Sequence, residues 1–161
     1  MPIGQQRVIL TPGVRAEKCW DWGVVNPRTG HTVHVIHPRR NNVGFRRLLA
    51  AISRTYELST HPQRRVIVFV DNDRAHQAKV VQQLLSKHGQ QLQVELQPSY
   101  SPELNAQEEI WRHMRRRVTH NYRFDQIESL MEADNQFHQE LQDNPEQVLR
   151  LLSKWERDIS V

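Results

Sequence analysis

The sequence predicts a mixed α/β fold, on three observations. The run Arg65–Val70, RVIVFV, is continuously apolar after its first residue and ends on Asp71, the mark of a strand buried on both faces. Residues 43–57 place Val43, Leu48, Leu49, Ile52 and Tyr56 near helical spacing, with arginines on the other side. The chain order of such segments reads β-β-α-β-α-β-α-α-α. Residues 18–25 mix aromatic and β-branched side chains and read as a strand, and residues 32–36, TVHVI, alternate as a second. The turn cluster Asn26-Pro27-Arg28-Thr29-Gly30 joins them into an antiparallel hairpin, and Pro38 ends it. After the 65–70 strand, the spacing predicts a helix over 74–88 that stops at Gly89. A strand over 92–96 follows, then a rigid loop between Pro98 and Pro102. A helix over 105–120 opens at Asn105, and helices over 124–141 and 145–155 are divided by Asn144-Pro145.

The 161 residues suit one domain with a short extension. Residues 1–123 form the expected domain and 124–161 an acidic helical extension of it. No run approaches the ~20 apolar residues of a membrane span, and the first residues show no secretory apolar core. Cys19 is the single cysteine, which excludes an internal disulfide framework and a cysteine-rich zinc site. The expectation is a cytoplasmic, reduced protein. The net charge of +4 is unevenly spread. Residues 1–60 sum to +6, residues 111–123 to +5, and residues 124–161 to −6. A basic body points to a polyanionic partner, most often nucleic acid; an ordinary basic surface is the alternative.

Candidate chemistry sits at strand ends and helix starts. Asp71 leaves a buried strand at its carboxyl end, where α/β sheets bind ligands, and suits a metal ligand; it equally suits a turn. Asp73 is the other candidate for the cap of the next helix. Glu108 falls in the first turn of its helix, where the helix dipole stabilises a carboxylate. Arg112 and Arg115 follow it along one stripe. A capping box with Asn105 is the competing role for Glu108. His31, His34 and His37 span a strand, where i and i+3 face opposite sides, so they read as ordinary hairpin histidines and not as a metal site. His76, just after Asp71, is placed to contact phosphate or to tune the site. There is no glycine-rich phosphate loop and no nucleophile elbow around a serine.

Two segments together resemble one family. VIVFVDNDRAHQA resembles the strand-Asp-Asn-x-x-x-His segment of DDE transposases, and LQPSYSPELNAQEEIW resembles their L-x-P-x-Y-S-P-x-L-N-P-I-E-x-x-W segment. The branch it looks most like is the mariner-related group of bacterial insertion-sequence transposases, also called DDE superfamily endonucleases. Ala106 and Gln107 depart from that pattern. The Thr11–Gly13 segment with Lys18 and the Asn26–Gly30 turn are similar too.

The resemblance implies an RNase H-like mixed sheet with flanking helices, strand order 3-2-1-4-5, plus C-terminal helices. It implies three carboxylates holding two Mg²⁺ or Mn²⁺ ions, with Asp71 as the second and Glu108 as the third. The first strand and first carboxylate, and a DNA-reading helix-turn-helix before them, are expected to be absent. Asp21, on the second strand of that order, is assigned no catalytic role. The function implied is DNA strand cleavage and transfer, by a truncated catalytic region inactive on its own and able to hold a single ion. The alternatives are a non-catalytic DNA-binding or dimerising remnant and an unrelated phosphohydrolase built on Asp71 and Asp73. Expected partners are transposon-end and target DNA, a second copy, and an upstream transposase product. Arg112, Arg115, Arg116, Arg39, Arg40 and His76 are the expected DNA contacts.

Overall fold

The computed structural model describes residues 18–98, 101–120 and 122–159. The Thr11–Gly13 segment and Ser99-Tyr100 of the second motif lie outside the described residues. Strands β1 (Trp20–Val25) and β2 (Thr32–His37) form the expected antiparallel hairpin, with Trp22 opposite Val35 and Val25 opposite Thr32. Its turn closes on Asn26, whose Oδ1 accepts the N–H groups of Arg28 and Thr29, while Gly30 takes a φ of 73° that a side chain would resist. Helix α1 (Asn42–Thr55) begins where Asn41 Oδ1 accepts from the N–H groups of Val43 and Gly44. Gly44 leaves room there for the indole of Trp22, which a Cβ would strike. Strands β3 (Val66–Val70) and β4 (Leu92–Leu96) pair in parallel, joined through α2 (Lys79–His88). Helix α3 (Gln107–Met114) continues into a π-helical turn at Arg115–Thr119. Helices α4 (Ile127–Asp143) and α5 (Pro145–Ile159) complete the described chain.

Two apolar clusters hold these elements. Phe45, Leu48, Leu49 and Ile52 of α1, with Val81 of α2, pack on Trp22 and Val33 from the hairpin and on Val68, Val70 and Leu92 from the parallel pair. Ile110, Val118, Phe137, Leu141, Val148 and Leu152 form the second cluster, against Val25. One helical layer thus covers both strand pairs on one side, while α3 and α4 on the other touch β1 and β2.

Two expectations change. The helix expected over 74–88 begins at Lys79, because Asp71 and Asp73 draw the following N–H groups into turns. The strand ending at Asp71 is not buried on both faces: Ile67 is 51% and Phe69 61% exposed. The second helical layer stops at the hairpin and leaves that face of β3 open.

The sheet is also divided. Among the described residues, β1–β2 and β3–β4 are separate two-stranded sheets. A cleft of about 1320 Å³ is lined by every residue of Val66–Val70 and by Trp20–Val25. Two small sheets with flanking helices are consistent with an RNase H-like fold. Among the described residues, no helix is long and apolar enough to cross a membrane.

Candidate metal and nucleic-acid site

Asp71 follows the last residue of β3, so its backbone is fixed by the ladder while its side chain, 61% exposed, stays open to solvent. One face of the carboxylate is oriented from within the chain. The N–H of Asp73 donates to Asp71 Oδ1 at 3.2 Å. The Nδ1 of His76 lies 3.1 Å from the same oxygen and 2.9 Å from the Asp71 carbonyl. His76 is only 8% exposed, with its ring 4.3 Å from that of Phe45 and 5.9 Å from that of Trp22. Such a histidine is placed to hold Asp71. Asp73 is spent differently: its Oδ1 accepts the N–H of Ala75 and its Oδ2 pairs with Arg40. Asp73 is thus held by a backbone N–H and by Arg40.

Glu108 enters from the opposite end of the motif pair. Asn105 Oδ1 accepts the N–H of Gln107, and the Asn105 carbonyl accepts the N–H of Glu108, which starts α3. The Glu108 carboxylate, 36% exposed, faces Arg115 at 3.9 Å. Asp71, Asp73, His76, Glu108, Arg40 and Arg115 all line the cleft between the sheets.

The other expected cations divide by their partners. Arg112 is paired with Glu109 on the same helix, at 2.5 Å. Arg40 also lies over the Trp20 ring, 5.7 Å from its centre. Arg39 and Arg116 are exposed. The hairpin histidines do not converge: His31 is exposed, His37 is buried with Nδ1 against the backbone of Arg39, and His34 stacks on His138 at 4.0 Å.

Sequence reasoning missed one group altogether. Asp21 is buried, and its Oδ2 accepts from Trp111 Nε1 at 2.8 Å and lies 2.9 Å from His138 Nε2. Asp134 Oδ1 lies 3.6 Å from that same nitrogen. Burial, with Asp21 close by, pushes the Asp134 carboxyl up to about 6, although His138 opposes the shift. The i, i+4 spacing of Asp134 and His138 on a helix was the available signal.

Comparison with known proteins identifies the family. The sequence profile of the DDE superfamily endonucleases matches residues 1–131. The chain is also 28% identical, over 134 residues, to a protein of Shigella sonnei described as the insertion element IS630 uncharacterized 39 kDa protein. The match takes in 83% of this chain and 37% of that relative, so the chain spans well under half of the relative's length. With the profile covering most of its residues, this chain belongs to the DDE superfamily endonuclease family.

Proposed function

We propose that this chain is a catalytic region of an insertion-sequence transposase, in which Asp71 and Glu108 hold a divalent ion and nearby arginines hold DNA. The observation that carries the reading is the delivery of two carboxylates to one cleft, one from a strand end and one from a helix start, with Arg40 and Arg115 beside them. Carboxylate oxygens are the donors that Mg²⁺ and Mn²⁺ take. Both groups are exposed enough to receive an ion. When bound, the ion supplies Lewis-acid activation and neutralises charge growing on the scissile phosphate.

The chain's own residues do the rest. His76 and the Asp73 N–H fix Asp71, so that less ordering is left to be done on binding. Arg115, Arg116, Arg40 and Arg39 meet phosphate oxygens, and Arg112 joins them on leaving Glu109. Such contacts position a duplex without reading its sequence. His76 acts through Asp71 and not on DNA.

Two carboxylates complete one ion with water, and strand transfer by two ions needs a further acid. Among the described residues β1 and β3 each pair on one edge only, and both line the cleft, which supports placing that acid there. In this reading the further acid comes from a partner, an upstream transposase product or a second copy, and the two carboxylates do not cleave DNA without it. A non-catalytic DNA-binding or dimerising remnant is the second reading. The open face of Ile67 and Phe69 favours it, because an uncovered apolar strand invites association.

A nicking assay with Mn²⁺ separates the two. The chain is compared with its Glu108→Gln variant and with a version extended upstream by an acid-bearing strand. The proposal expects nicking only from the extended version, abolished by Glu108→Gln. No nicking from any extended version favours the remnant.

A further inference from the structure

Asp21, Asp134 and His138 bring their ligand atoms within 4.8 Å of one another beneath the hairpin. Their side chains are 6%, 5% and 1% exposed. Asp21 Oδ1, Asp134 Oδ1 and His138 Nδ1 are buried without a hydrogen-bond partner. Two carboxylates so buried are costly to leave uncompensated, and native interiors rarely do so. We propose that these three residues, with Cys19 as fourth donor, bind a zinc-type divalent ion at a site separate from Asp71 and Glu108.

The geometry points to the place of the ion. His138 Nε2 stands between the carboxylates, 2.9 Å from Asp21 Oδ2 and 3.6 Å from Asp134 Oδ1. Zinc bonds to nitrogen and oxygen run ~2.0–2.2 Å, so ligand atoms in a tetrahedral site stand roughly 3.3–3.5 Å apart. The observed spacings bracket that value, and an ion replacing the proton on Nε2 needs only small movements. The donor set, two carboxylates and an imidazole, suits zinc better than the all-oxygen preference of magnesium. The sequence delivers it in pairs. Cys19 immediately precedes β1, two residues before Asp21, and Asp134 and His138 are four apart on α4 and share a face.

The surroundings orient the ligands. Trp111 Nε1 donates to Asp21 Oδ2, and the stacked ring of His34 fixes the plane of His138. Cys19, Asp21 and Asp134 line the cleft, which gives an ion a way in. Cys19 stands outside the 4.8 Å group but on the same cleft, and the proposal requires its side chain to turn in when the ion binds. The ion would tie the hairpin to α4, two elements whose ligands are more than a hundred residues apart.

The test is titration of the whole chain with Zn²⁺ alone, and with Co²⁺ as a spectroscopic probe. The background is the Asp71→Asn/Glu108→Gln double variant, so the result does not depend on the transposase site. The proposal expects one Zn²⁺ per chain and a rise in melting temperature. Asp134→Asn and His138→Gln should each weaken binding at least tenfold, and circular dichroism without metal checks that each variant folds. Should one of them not fold, the other and the Co²⁺ spectrum decide. Bound Co²⁺ should show the intense visible bands of tetrahedral coordination, and a thiolate charge-transfer band that Cys19→Ser removes. Absence of stoichiometric binding, or binding unchanged in the folded variants, overturns the site. Absence of the charge-transfer band overturns the four-ligand set.

Discussion

The Nδ1 of His76 sits between two oxygens of Asp71, the backbone carbonyl at 2.9 Å and Oδ1 at 3.1 Å. The residue five positions along the chain thus fixes the carboxylate at the strand end. Removing it should loosen Asp71 without touching the basic surface. His76→Ala is expected to weaken Mn²⁺ binding by about tenfold, the low end of what loss of an orienting partner costs. DNA affinity and its salt dependence should stay unchanged. Isothermal titration with Mn²⁺ and a parallel DNA titration check both halves. A fall in DNA affinity with Mn²⁺ binding intact would place His76 on the phosphates instead.

Much of this was legible locally. β1, β2 and β4 lie within a residue or two of the expected ranges, because Asn26, Gly30 and alternation fix a hairpin with few distant contacts. The start of α2 was misplaced by five residues. Asp71 and Asp73 side chains compete for backbone N–H groups there, and helical periodicity does not register such competition. The exposure of Ile67 and Phe69 depends on which helices reach β3, a matter of packing between distant segments. The family was legible because its two motifs, around Asp71 and around Glu108, are long. The Asp21–His138 pair was not, since it spans 117 positions and gains meaning only when α4 packs on the hairpin.

The bond from Trp111 Nε1 to Asp21 Oδ2 ties α3 to β1 inside the protein. Trp111→Phe keeps the ring and removes the donor. Losing one hydrogen bond to a buried charged acceptor should cost about 1.5–3 kcal/mol. Urea unfolding of the metal-free chain measures it. An unchanged midpoint would mean that the contact adds nothing to stability.

His113 carries a pH prediction. Burial lowers its pKa from the ordinary 6.5, and Arg117 and Arg116 lower it further, while Phe137 packs against its ring. The folded state therefore takes up its proton at lower pH than the unfolded state does. The stability linked to His113 is present above about pH 6.5 and is lost as pH falls below it. Between pH 7.5 and 5.5, the wild-type chain should lose more stability than His113→Gln. Parallel slopes for the two proteins would contradict this.

DNA binding should be weak, indifferent to sequence and steep in salt. Each arginine that meets a phosphate contributes about 0.9 to the slope of log K against log salt. Arg115→Ala and Arg116→Ala should each reduce that slope by about one. Arg112→Ala should reduce it less, since Arg112 is already paired with Glu109. Fluorescence anisotropy with two unrelated duplexes at several salt concentrations reads these values. A strong preference for one duplex would require base contacts from elsewhere.

The most direct measurement of the central claim is Mn²⁺ binding followed by electron paramagnetic resonance of the free ion. It is made on the chain, Asp71→Asn, Glu108→Gln and the double variant, with zinc present to fill the Asp21–His138 site. If Asp71 and Glu108 hold one ion together, the chain binds one Mn²⁺, each single variant loses most of that affinity, and the double variant is little worse than either single. Binding that survives in Asp71→Asn or in Glu108→Gln would show that the two carboxylates do not share an ion.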